Sequence, residues 1–168
     1  MRTGFGATFV VLYLLVLLSI VLAGAADAHA EEPVTGRKIY TSHGTFEDVR
    51  DNLELAITGR GMVINNVSHI GDMLARTGSD LDAKKRVYAK AQALEFCSAL
   101  LSREMMEIDP HNIVYCPYVI SVYALPGETD RVYISYRRPG PVGTESSQRV
   151  LGKVEALLDE IVADSVLP

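Results

Sequence analysis

The run NIVYCPYVISVYAL (residues 112–125), the residues PGETD (126–130) and the run RVYISYRR (131–138) decide how this chain folds. Valine, isoleucine and tyrosine crowd both runs, and such side chains suit a pleated, half-buried surface. Pro126, Gly127 and Asp130 supply the chemistry of a reversal between them. The stretch therefore reads as an antiparallel hairpin of two aromatic strands. Pro117 interrupts the first strand. It cannot donate to a ladder, so that point should be a bulge, an edge or a strand start.

Upstream of the hairpin, SALLSREMMEI (98–108) spaces Leu101, Met105 and Ile108 as a helix does, with Ser98 as N-cap and Asp109-Pro110 as stop. YAKAQALEFC (88–97) suits helix or strand: its alanines favour the former, its last four residues the latter. GDMLARTGSDLDAKKRV (71–87) is polar and broken by Gly71 and Gly78, so a long loop holding a short helical turn is expected. MVINNVSHI (62–70) reads as a strand, with Val63, Asn65, Val67 and His69 on one face and Met62, Ile64, Asn66, Ser68 and Ile70 on the other. Its Asn66-Val67-Ser68 sequon is read as accidental inside a compact strand. Before it, Phe46, Val49, Leu53 and Ile57 form one apolar helical stripe, opened by the Thr45–Asp48 capping pair and ended by Gly59 and Gly61. RKIYT (37–41) has strand character, and EEPVTG (31–36) is a leader.

Downstream, PGPVGTESS (139–147) is a linker. Ser146 or Ser147 then opens an amphipathic helix whose stripe is Val150, Val154, Leu157, Leu158 and Ile161. This order of elements fits an α+β two-layer sandwich. Its mixed or antiparallel sheet has about five strands and carries helices mainly on one face. Residues 37–139 make the core domain, and residues 140–168 the linker and terminal helix.

Residues 7–26 are almost wholly apolar, follow Arg2, and precede Ala28-His29-Ala30. The pattern is that of a signal peptide over residues 1–30, cleaved before Glu31. The alternative is an uncleaved anchor, since a run of roughly 20 residues can span a bilayer. Either way the rest of the chain is expected outside the cytoplasm, periplasmic or secreted. The net charge of −5 is unchanged by removal of residues 1–30, which takes one base (Arg2) and one acid (Asp27). A mildly acidic domain lacks the basic stripe that nucleic acid needs and the polybasic patch that holds an anionic membrane. Membrane attachment is expected only if residues 1–30 are retained.

The segments FEDVRDNLELAITGRGMVINNVSHI, ALEFCSALLSREMMEIDPHNIVYCPYVISVYALPG and RVYISYRRP resemble the domain-of-unknown-function 302 family over roughly residues 38–139. The resemblance implies a small α+β fold, often dimeric, found as single or tandem domains. It brings no established activity. The family commonly has Asn-Pro after the strand that here ends in Phe96-Cys97, where this chain has Cys97-Ser98.

Both cysteines, Cys97 and Cys116, lie in this region. A helix descending roughly 16 Å over residues 98–108 and a strand climbing roughly 13 Å over residues 112–116 would return Cys116 to the level of Cys97. Several readings stay open. In an exported domain the pair suits a structural disulfide. At a helix N-terminus Cys97 suits a reactive thiolate with Cys116 as resolving partner. With His69 or His111, and Met105 or Met106 in reserve, the pair could hold a soft metal or haem. Two free, inert thiols complete the set. No tight CxxC or CxxCH spacing narrows these further.

His69 stands at a strand end where sites gather, and Tyr115, Tyr118, Tyr123, Tyr133 and Tyr136 could line a pocket or a dimer face. His69, Tyr115 and Tyr118 are the candidate ligand-binding residues, weighed against ordinary surface histidine and strand tyrosine. Arg137-Arg138 could bind an anion or simply be a solvated strand end. Glu47-Asp48 and Asp159-Glu160 read as charged helix surfaces. No nucleophile elbow, phosphate loop or zinc-protease signature is present, so neither catalytic residues nor a cofactor is assigned and the balance is against an enzyme. The expectation is an exported homodimeric domain that binds a small molecule or a periplasmic protein partner, ahead of thiol redox and metal binding.

Overall fold

The computed structural model describes residues 36–167. The expected signal peptide or anchor and most of the leader lie outside those residues. Among the described residues no helix is long and apolar enough to cross a membrane. The elements run β1 (Arg37–His43), α1 (Phe46–Thr58), β2 (Ile64–Ser68), α2 (Ile70–Asp80), β3 (Lys90–Phe96), α3 (Ala99–Ile108), a 3-10 turn (Pro110–Tyr115), β4 (Tyr118–Ala124), β5 (Arg131–Arg137) and α4 (Glu145–Ser165). The strands form one sheet in the order β1-β5-β4-β3-β2, every neighbour antiparallel. The α+β sandwich with a five-stranded sheet is thus the fold.

The hairpin pairs Ile120 with Tyr136 and Val122 with Ile134. These side chains point to the helix-covered face, where Leu94 and Phe96 of β3 join them in the core. From the other layer come Val49, Leu53 and Ile57 of α1, Met105 of α3, and Val150, Val154, Leu158 and Ile161 of α4. Helix α4, expected to follow the core domain, is therefore packed into it. Its N-cap is Thr144, whose hydroxyl accepts from the Ser147 N–H at 3.2 Å. The expectation placed the cap at Ser146 or Ser147, but Ser147 is fully buried and its hydroxyl accepts from Asn112 instead. In α1 the Thr45 cap, the apolar stripe and the stop at Gly59 are as read from the sequence.

Three local readings need correction. First, β2 carries a bulge, because Ile64 pairs with Phe96 while Asn66 pairs with Glu95. The extra residue puts Ile64 and Val67 on the same core face rather than opposite ones. Second, the polar segment after β2 is a full helix, α2, of 11 residues. Its half-buried Ile70, Leu74 and Thr77 face inward, and Gly71 lets it approach β3, since a Cβ there would meet the Ala91 nitrogen at 2.8 Å. Third, residues 112–116 are not strand. Asp109 accepts from the His111 N–H at 2.9 Å and Pro110 opens the 3-10 turn. The buried Asn112 amide donates to the Met105 carbonyl at 3.0 Å, so the chain coils until Pro117 releases it into β4.

Candidate functional site

Each strand alternates between the helix layer and the opposite face, which among the described residues is left largely uncovered over β1, β5 and β4. On that open face Arg37 is the register partner of Arg137, and Ser121 of Ser135. Where β4 begins, β5 ends and β1 begins, these side chains border a cleft of about 640 Å³. Tyr115, Cys116 and Pro117 from the 3-10 turn and its exit form the facing wall. Glu95 lies at the rim and is held by Asn66 Nδ2 at 3.1 Å and Ser68 Oγ at 3.2 Å. Arg138 also lines the cleft, tied to Glu155 at 2.7 Å. Arg137 is exposed and forms no ion pair among the described residues.

Of the candidate ligand-binding residues, Tyr115 and Tyr118 reach this cleft and His69 does not. Tyr118 is only 3% exposed, with its ring edge-on to Phe96 at 5.9 Å. Its phenol lies 3.5 Å from the Ser102 hydroxyl, and burial pushes its pKa up. Tyr115 is half-buried and opens to the cleft. His69 sits between β2 and α2, 3.3 Å from the Gln92 side-chain nitrogen and 3.8 Å from Asp72, four residues along β3 from Phe96. The tyrosines that looked like one cluster also divide: Tyr123 stacks on Tyr133 at 5.2 Å on the open face, whereas Tyr136 points to the core.

The cysteines do meet, by a route different from the expected strand. Phe96 and Tyr118 end the β3–β4 ladder, so Cys97 and Cys116 are diagonal neighbours just beyond it. Both are half-buried free thiols. Cys116 Sγ is 3.7 Å from Ser102 Oγ. Burial, reinforced by the neighbouring Cys116, pushes the Cys97 thiol up to about 11. That is the reverse of the thiolate expected at a helix N-terminus: at this half-buried position desolvation outweighs the helix end. The soft-metal set is not assembled. Among the described residues no three His, Cys, Asp or Glu side chains are grouped to hold an ion, and Met105 is locked in the core.

Sequence reasoning missed a second polar centre. Asp159, read as helix surface, accepts from Lys38 Nζ at 2.6 Å and from the hydroxyls of Tyr40 and Tyr136. Burial pushes this carboxyl up, but the three donors together outweigh it and hold its pKa below the ordinary value. Burial and the bond to Asp159 push the Tyr136 phenol up in turn. The signal was an acid one residue from the apolar stripe, and it gains meaning only once β1 is known to lie alongside.

Residues 38–165 match the family described as "Domain of unknown function DUF302". The chain belongs to the DUF302 family. The match runs into α4, so the helix that supplies Val154 and Leu158 to the cleft is part of the DUF302 unit. No curated protein sequence matches the chain. The crystal structure of an uncharacterized conserved DUF302 protein from Bacillus stearothermophilus is similar, with a TM-score of 0.66 at 12% identity. The match covers 78% of this chain and 98% of that one. At that identity the likeness speaks for the DUF302 fold alone.

Proposed function

We propose that this DUF302 domain binds a small molecule bearing a carboxylate or phosphate group in the cleft at the sheet's end. The observation that supports the reading is the pairing of Arg37 with Arg137 on the open face beside Ser121 and Ser135. Two guanidiniums in register beside two hydroxyls present several donors to one ligand. An oxyanion there would accept charge-assisted hydrogen bonds from Arg137 and Arg37 and hydroxyl hydrogen bonds from the serines. The cleft's volume is in the range of small-molecule sites.

A panel of small carboxylates, phosphate monoesters and inorganic phosphate, screened by thermal shift and quantified by calorimetry, tests this. Arg137→Ala should weaken the best anion by roughly ten- to hundred-fold, the worth of a charge-assisted hydrogen bond. Equal affinity in wild type and variant would place the ligand elsewhere. We further infer that the domain works outside the cytoplasm and pairs with a second copy through its open face. The first of these rests on residues 1–30. Intact mass of protein recovered from the cell envelope should begin at Glu31, whereas a mass including Met1 would mean retention.

A further inference from the structure

We propose that Cys97 and Cys116 form a reversible dithiol–disulfide site in which Cys116 exchanges with a small-molecule disulfide entering the cleft and Cys97 resolves the product. Neighbouring strands lie about 5 Å apart, and the two cysteines are diagonal across the end of the β3–β4 ladder. That places their backbones within reach of a disulfide. Closure then needs the two side chains to rotate toward each other across the end of the ladder.

The roles follow from what faces the cleft. Cys116 lines it, between Tyr115 and Pro117, and Cys97 does not. Ser102 Oγ, 3.7 Å from Cys116 Sγ, can donate to that sulfur as its proton leaves. Burial first, and then the neighbouring Cys116, keep Cys97 protonated in the reduced protein. Capping Cys116 removes the neighbour's contribution while burial persists, so resolution by Cys97 is slower than the first attack. The order is opposite to the one expected from sequence, where Cys97 was the attacking thiol.

The chemistry balances without a further reagent. The Cys116 thiolate attacks one sulfur of R–S–S–R and expels R–S⁻, leaving a mixed disulfide on Cys116. Cys97 gives up its proton, attacks the Cys116 sulfur and expels the second R–S⁻. The protein loses two electrons and two protons, and the small disulfide becomes two R–SH.

The reduced full chain is mixed with oxidised glutathione, quenched with acid at intervals, and read by intact mass and peptide mapping. Wild type should pass through an adduct on Cys116 and end two hydrogens lighter, with Cys97 joined to Cys116. Cys97→Ser should trap the adduct on Cys116, and Cys116→Ser should react about tenfold more slowly than Cys97→Ser. A first adduct on Cys97, equal rates in the two variants, or no closure at any glutathione ratio would overturn the proposal. Mapping of the wild-type adduct needs no substitution, so the order of attack is read even if a variant misfolds. Circular dichroism checks each variant.

Discussion

Asp159 shows how much one carboxylate can do when the chain brings three donors to it. Lys38 and Tyr40 come from β1, Tyr136 from β5 and the acid from α4, so one side chain pins the sheet edge to the helix layer. Replacing the carboxylate with an amide leaves two hydroxyls and an ammonium with a poorer acceptor. Asp159→Asn should destabilise the domain by roughly 1–3 kcal/mol at neutral pH, toward the lower end because Lys38 is partly solvated. The folded carboxyl titrates below the ordinary aspartate value of 3.8. Its contribution is therefore fully present above that value and lost as pH falls through the lower, folded one. The stability gap between wild type and variant, followed by urea midpoints, should accordingly close in acid below about pH 4. A gap that persists there would mean the carboxylate's charge is not what matters. Sequence alone places Asp159 beside Leu158 on a helical wheel. Lys38 and Tyr40 lie more than a hundred residues away and Tyr136 on a different element, so no local pattern can announce them.

Elements were legible in proportion to how far local chemistry set them. Helix α1 has its cap, stripe and stop written in consecutive residues, as does the hairpin of β4 and β5. Strand β3 is alanine-rich and becomes a strand because β2 and β4 pair with it on both sides. Helix α2 was the hardest, since packing against β3 overrides two glycines that read as breakers. A measurement separates these influences. A Cβ added at Gly71 would meet the Ala91 nitrogen at 2.8 Å, whereas one added at Gly152 in α4 has nothing within 4 Å. Alanine gains about 1 kcal/mol over glycine inside a helix, but forcing atoms into a packed contact costs about 1–3 kcal/mol. Gly152→Ala should therefore raise the urea midpoint and Gly71→Ala should lower it. If both rise, α2 does not rely on close approach to β3.

At the scale of the whole molecule, the sandwich was readable because strand and helix signals alternate in an order that few layered folds accept. The cleft was not readable, since it depends on β1 pairing with β5 across the full sequence. The same pairing exposes a face whose middle carries few charges. Ile39 is 47% and Val119 39% exposed there, around the Tyr123–Tyr133 stack, with arginines at its ends. A charge-poor centre rimmed by polar groups is the composition of an interface, and a second copy can meet it about a two-fold axis. The size of the face sets the strength. Three strands of about 23 Å, uncovered among the described residues and spaced about 4.8 Å apart, present roughly 330 Å² of flat area, less than half of the about 800 Å² that a stable partner usually buries. The pair should therefore dissociate in the micromolar range, and sedimentation equilibrium across a dilution series should show both species. Ile39→Glu with Val119→Glu should leave only monomer and an unchanged circular dichroism spectrum, because both side chains are already solvated in the single chain. A wild type that stays monomeric at the highest concentration, or a double variant that still dimerises, would move the interface off this face.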